Sequence, residues 1–154
     1  MNEPRCPDCG AAVGGRDACR KLLEELGLRA YNDPGYARTH RLAVDAYSLQ
    51  HPDEFMRSAK SFAAHLTGAA AALERDDALA VNDAVQRWLS TNPRLERPEP
   101  PADRGSITIV DVVRADGAPS VRDWAASAWR TYAAHHTLAR ELIERATQPR
   151  AAVR

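Results

Sequence analysis

Apolar positions at helical spacing recur along most of the chain and set its predicted elements. Over residues 17–26, Cys19, Leu22, Leu23 and Leu26 fall on one face, with Asp17 able to cap the start and Gly27 to close the end. A second start signal is Asp33 followed by Pro34. The pattern then runs through Leu42, Val44, Tyr47 and Leu49 to a stop at His51, since Pro52 disfavours a helical residue before it. A third helix is predicted over residues 54–74, rich in Ala, and a short fourth over residues 78–89, before Asn92 and Pro93.

The pattern then breaks. Residues 94–104 read RLERPEPPADR, a polar connector with prolines at 98, 100 and 101. Residues 106–113, SITIVDVV, are β-branched and apolar and predict a short extended or β segment. Ser120, with Asp123 in capping-box spacing, opens a long helix to residue 145, and the tail TQPRAAVR reads as frayed. The expected fold is mainly α: a helical bundle with one short extended segment and an N-terminal segment whose CPDCG, two cysteines two residues apart on a glycine-bearing turn, has the form of a zinc knuckle. One domain over residues 1–154 is expected, divided into a Cys-rich segment (1–19), a helical body (20–92), a connector (93–105) and a closing unit (106–146).

Composition changes this picture in two ways. Twenty-one Lys plus Arg against twenty-one Asp plus Glu leave no net charge, so no global field draws nucleic acid. Near the cysteines, Arg16, Arg20, Lys21 and Arg29 interleave with Asp8, Asp17, Glu24 and Glu25, which makes a nucleic-acid partner unlikely. The nineteen Arg, two Lys and twenty-nine Ala point to GC-rich coding rather than to arginine chemistry. No apolar run has membrane-spanning length and the first residues lack the pattern of a signal peptide, so a cytoplasmic protein without membrane association is expected.

The candidate chemistry lies in the cysteines. CPDCG has the form of a zinc knuckle, two thiolates on a glycine-bearing turn. Cys19 follows ten residues later in the first turn of a helix, where the dipole favours thiolate. Cys6, Cys9 and Cys19 therefore predict a Zn2+ site that needs a fourth ligand. A redox pair would call for a βαβ setting, which is missing.

If the first two helices form a hairpin across residues 27–33, Cys19 is level with Arg41, beside His40. His51 lies about 16 Å further along the same helix, so His40 is the first choice and His51 the alternative, reached if the knuckle folds over that end. Unliganded thiols remain an alternative, as does a catalytic metal with an open coordination position. His40, Val44, Tyr47 and His51 share a helical stripe, and Asp45 is about 140° from His40. A second site is also conceivable in the bundle core, with one inward histidine from each of three helices: His51 or His40, His65, and His135 or His136.

CPDCG, Cys19, HRLAVDAYSLQHP, AAHL, SITIVDV and the tryptophan-bearing helix with paired histidines together resemble a family of small bacterial proteins classed as a domain of unknown function. A shared fold and site are what that resemblance implies. A looser similarity is to metal-dependent bundles of the DinB and YfiT type, which implies a metal-dependent hydrolase or thiol transferase and assigns no residue here a catalytic role.

Three functions follow as expectations. One is a zinc protein whose Cys3His site staples the N-terminal segment to the body, with a small-molecule or protein partner and an interaction or regulatory role. The second is an enzyme in which metal activates water or a thiol, aided by Asp45 or Tyr47. Nucleic-acid binding is third. No Gly-rich phosphate loop, nucleophile elbow or HExxH motif occurs.

Overall fold

The computed structural model describes residues 3–114 and 120–149. Among them the elements are α1 (Arg16–Asn32), α2 (Pro34–Gln50), α3 (Pro52–Phe55), α4 (Ala59–Glu74), α5 (Ala78–Ser90), α6 (Ile109–Arg114), α7 (Val121–Thr131), a 3-10 turn (Ala133–His135) and α8 (His136–Thr147). The expected helical architecture is present, and no strand occurs among the described residues. No helix there is long and apolar enough to cross a membrane. Pro119 and the tail from Arg150 lie outside the described residues.

Local capping chemistry sets several starts. The Asp33 carboxylate accepts from the Gly35 N–H at 2.8 Å, with Pro34 in the first turn of α2. Ser58 and Ser61 cap each other at the head of α4, so the helix expected from residue 54 divides into α3 and α4. Ser120 and Asp123 form the expected reciprocal box at the head of α7.

Three further elements depart from the sequence reading. First, Gly27 does not end α1, which continues to Asn32. A Cβ on Gly27 would meet His40 Cε1 at 3.4 Å, an ordinary contact, and the helix runs through this glycine instead of stopping there. Second, the expected β segment is helix α6. A lone strand would leave its N–H and C=O groups unpaired. Here the Thr108 N–H donates to Asp111 Oδ2 at 2.8 Å, a cap three residues apart, and Ile109, Val112 and Val113 share the buried face.

Third, the long final helix breaks after Thr131. Tyr132 is fully buried, its hydroxyl donating to the Leu49 carbonyl at 2.6 Å. The Trp129 carbonyl accepts from the Tyr132 N–H at 3.0 Å and from His136 Nε2–H at 2.8 Å.

The hydrophobic interior forms two clusters. One joins Cys6, Cys9 and Cys19 to Leu22, Leu26, Tyr47, Ile109 and Trp124. The other packs α4, α5 and α8 through Phe62, Leu66, Val81, Val85, Tyr132 and Leu142. Gln50, at the end of α2, anchors the connector. Its amide donates to the Arg104 and Ile107 carbonyls, each at 2.7 Å, and its oxygen accepts from Trp124 Nε1–H at 2.9 Å.

Candidate metal centre

The knuckle is a small turn closed by its own backbone. The Cys6 N–H donates to the Ala11 carbonyl at 2.8 Å and the Gly10 N–H to the Cys6 carbonyl at 2.9 Å, with Arg5 and Ala12 bridged beyond. Gly10 has φ 83°, a left-handed conformation that glycine adopts without strain. The turn brings Cys6 and Cys9 to one side, and Asp8 ties it to α1 through a 2.8 Å ion pair with Arg16. That guanidinium holds the Asp8 carboxyl below its usual range.

Cys19 comes from the first turn of α1, and the hairpin register then selects its neighbour. With Asp33 alone between the helices, Cys19 stands as far before the turn as Tyr47 stands after it. His51 follows Tyr47 by one helical turn, and the two rings stack with centroids 3.8 Å apart. The longer α1 thus moves Cys19 away from the level of His40 and towards the other end of α2.

Four side chains meet there, each nearly or wholly buried: Cys6 at 1 %, Cys9 at 6 %, Cys19 at 0 % and His51 at 1 % exposure. Their ligand atoms all lie within 4.8 Å of one another. Cys9 Sγ and Cys19 Sγ are 3.7 Å apart, and His51 Nε2 is 3.6 Å from both Cys6 Sγ and Cys19 Sγ. The three cysteines are free, at a separation well beyond the ~2.05 Å of a disulfide. A tetrahedral zinc ion, with about 2.3 Å to sulfur and about 2.05 Å to nitrogen, sets edges of about 3.8 Å between sulfurs and about 3.6 Å from sulfur to nitrogen. Three of the six edges, Cys9 to Cys19 and His51 to Cys6 and to Cys19, match these values, and the others lie within 4.8 Å.

Hydrogen bonding also prepares the imidazole. His51 Nδ1–H donates to the Tyr47 carbonyl at 2.7 Å, which leaves the Nε2 lone pair directed at the sulfurs. Electrostatics favour a cation. Hydrogen bonding with Cys19, then burial, pushes the Cys9 thiol up to about 12, and burial raises Cys6. Metal-free, these two sulfurs therefore hold their protons, and a divalent ion supplies the charge that makes thiolates stable.

Around the cluster lie Tyr47, which the sequence reading named, and Arg20 and Glu54, to which it gave no part in the site. Burial, then the neighbouring Cys19 sulfur, pushes the Tyr47 hydroxyl far up. Arg20 and Glu54 form an ion pair. Arg20 Nε, Glu54 Oε2 and Tyr47 Oη are buried without a hydrogen-bond partner among the described residues. Arg20 is next to Cys19 and Glu54 is three residues after His51, so adjacency to the ligands was their one sequence signal.

The other histidines are dispersed. His40 is exposed on α2 against Gly27. His65 Nδ1 contacts Asp45 Oδ1 at 2.9 Å, and His135 Nε2–H donates to the Glu99 carbonyl at 2.9 Å. His136 stacks on Trp129 with centroids 4.1 Å apart. Among the described residues Cys6, Cys9, Cys19 and His51 form the one grouping suited to a metal, and no three-histidine cluster occurs.

Neither curated proteins nor solved structures yield a match, so the looser likeness to DinB and YfiT bundles gains no support. A family model does match, described as a family of unknown function and covering residues 4–133, which takes in the knuckle, Cys19, His51 and the helices that carry them. The chain belongs to that family, DUF5946.

Proposed function

We propose that the protein is a small zinc-binding protein of the cytoplasm, in which Cys6, Cys9, Cys19 and His51 hold one structural Zn2+. His51, the alternative in the sequence reading, replaces His40 as fourth ligand. The observation that carries this reading is a buried group of four whose ligand atoms lie within 4.8 Å of one another, with Cys9 and Cys19 sulfurs 3.7 Å apart and His51 Nε2 3.6 Å from the sulfurs of Cys6 and Cys19. Soft thiolates with one imidazole favour zinc over harder cations, which prefer oxygen.

A structural role follows from the ligand count. Four protein ligands complete a tetrahedral ion, whereas a catalytic zinc keeps a position for water or substrate. The ion's work is mechanical: it ties the knuckle, whose backbone hydrogen bonds are internal, to Cys19 of α1 and to the end of α2. The whole chain then acts as one domain serving an interaction or regulatory role, with a protein or small molecule as partner.

The test is metal analysis of purified protein with thermal melts. About one zinc per chain is expected, lost on strong chelation together with a fall in melting temperature. A protein that neither retains nor takes up zinc, and melts identically with and without chelator, overturns the reading.

A further inference from the structure

Away from the metal centre, α2 and α4 are built around a second polar group, the carboxylate of Asp45. It is completely buried, and it accepts from Arg41 Nε at 3.1 and 3.3 Å and faces His65 Nδ1 at 2.9 Å. Gly68 makes the room. A Cβ there would overlap Asp45 Oδ2 and lie 2.9 Å from both Asp45 Cγ and Arg41 Nη2. Joining two helices needs no buried charge, since apolar residues of similar volume do so at lower desolvation cost. A carboxylate held in this way fixes the orientation of something else.

That something is His65. With Nδ1–H directed at Asp45, its Nε2 is left without a protein partner among the described residues. The ring lines a groove of about 460 Å³ between α2, α4 and α5, within the size range of small-ligand sites. Arg41 and Lys60 line the same groove, while no carboxylate does, and Val44, Val85 and Leu89 supply an apolar wall. Arg41 spends Nε on Asp45 and Nη2 on the Ala64 carbonyl at 3.4 Å, which leaves Nη1 unpaired among the described residues.

We propose that this groove is a binding site for a small organic anion, one carboxylate or phosphate group on an apolar body. The acidic group lies against His65 Nε2, Arg41 and Lys60, and the body covers Val44 and Val85. Asp45 is a positioning residue: it accepts from Nδ1–H and so fixes the imidazole with Nε2 left for the ligand. The proposal is independent of the zinc site, whose four ligands lie elsewhere.

The test is an NMR titration of the zinc-loaded protein, labelled at histidine and arginine side chains, with phenyl phosphate in one arm and benzoate in the other, at micromolar to millimolar concentrations. Saturable shifts of the His65 ring in either arm are expected, and the arm that binds more tightly identifies the acidic group. His65→Gln should weaken binding about tenfold or more. Lys60→Ala, an exposed substitution, should weaken it with the fold unchanged. No saturable shift in either arm overturns the proposal, as does binding that survives both substitutions undiminished. Zinc content, measured on the same samples, keeps a failure of this site distinct from a failure of the metal centre.

Discussion

Replacing His51 by Ala removes one of four ligand atoms from a site in which the fourth ligand is the least obvious choice. A structural zinc site contributes about 10 to 16 kcal/mol of apparent binding free energy at neutral pH, so one ligand in four accounts for about 3 kcal/mol, or roughly 100-fold in zinc affinity. Truncation also removes a ring stacked on Tyr47 at 3.8 Å and the bond to the Tyr47 carbonyl at 2.7 Å. The lost bond adds about 1 kcal/mol of destabilisation that zinc cannot restore. Competition against a chromogenic chelator reads the first quantity, and melts of metal-free protein read the second. His40→Ala is the control: His40 is exposed and packs beside Gly27, so zinc affinity should be unchanged. Wild-type zinc affinity in His51→Ala, or a large loss in His40→Ala, refutes the assignment.

Gln50→Leu should cost about 3 kcal/mol in urea denaturation, because it strands the Trp124 indole N–H and the carbonyls of Arg104 and Ile107; a change within about 1 kcal/mol would show that water replaces these bonds. The metal-free protein should lose stability as pH rises. Cys9 is raised on folding from its ordinary 9.0 to about 12, so its contribution is complete below 9.0 and disappears as pH climbs towards 12; melts across that window should show the decline, and Cys9→Ala should flatten it. With zinc bound the sensitivity reverses, since protons compete for the thiolates, and metal release on acidification, followed with a zinc indicator, is the expected outcome. Gly68→Ala should destabilise by about 2 kcal/mol in thermal melts, because overlap with Asp45 outweighs the gain of about 1 kcal/mol in helix propensity; a neutral or stabilising result would show that the carboxylate can move aside.

The parts of the fold legible in the sequence were those governed by local chemistry. Asp33 before Pro34, Ser120 before Asp123, and Pro52 after His51 mark helix ends through groups within a few residues, and the structure has those ends. The cysteines were legible for the same reason, since CPDCG and a cysteine in a first helical turn carry their geometry with them. The fourth member of the cluster was not, because it depends on where α1 stops. Gly27 has a stop signal's chemistry but lies within α1, and the residues that α1 gains beyond it shift the hairpin register from His40 towards His51. Residues 109–114 failed differently: Ile109, Val112 and Val113 satisfy a strand's composition and a helix's spacing together, and pairing partners decide between them. The break at Tyr132 rests on a hydroxyl bond to Leu49, a contact 83 residues away in sequence that no local pattern encodes.

The end of α2 gathers these long-range dependencies into one place. Two successive residues there hold different parts of the chain: Gln50 bonds to the connector and to α7, while His51 meets the knuckle and Cys19. Leu49, immediately before them, receives the Tyr132 hydroxyl. The polar groups involved are buried, and each would be costly to leave unpaired. Their partners come from the N-terminal segment, the connector and α7 to Tyr132, none of which has an extended sheet or a long helical hairpin of its own to fix it. The run Leu49, Gln50, His51 therefore serves as the common anchor of the molecule. A zinc ion on His51 would strengthen the one attachment that otherwise depends on weak contacts of thiols with an imidazole, a gain that the hydrogen-bonded neighbours would not share.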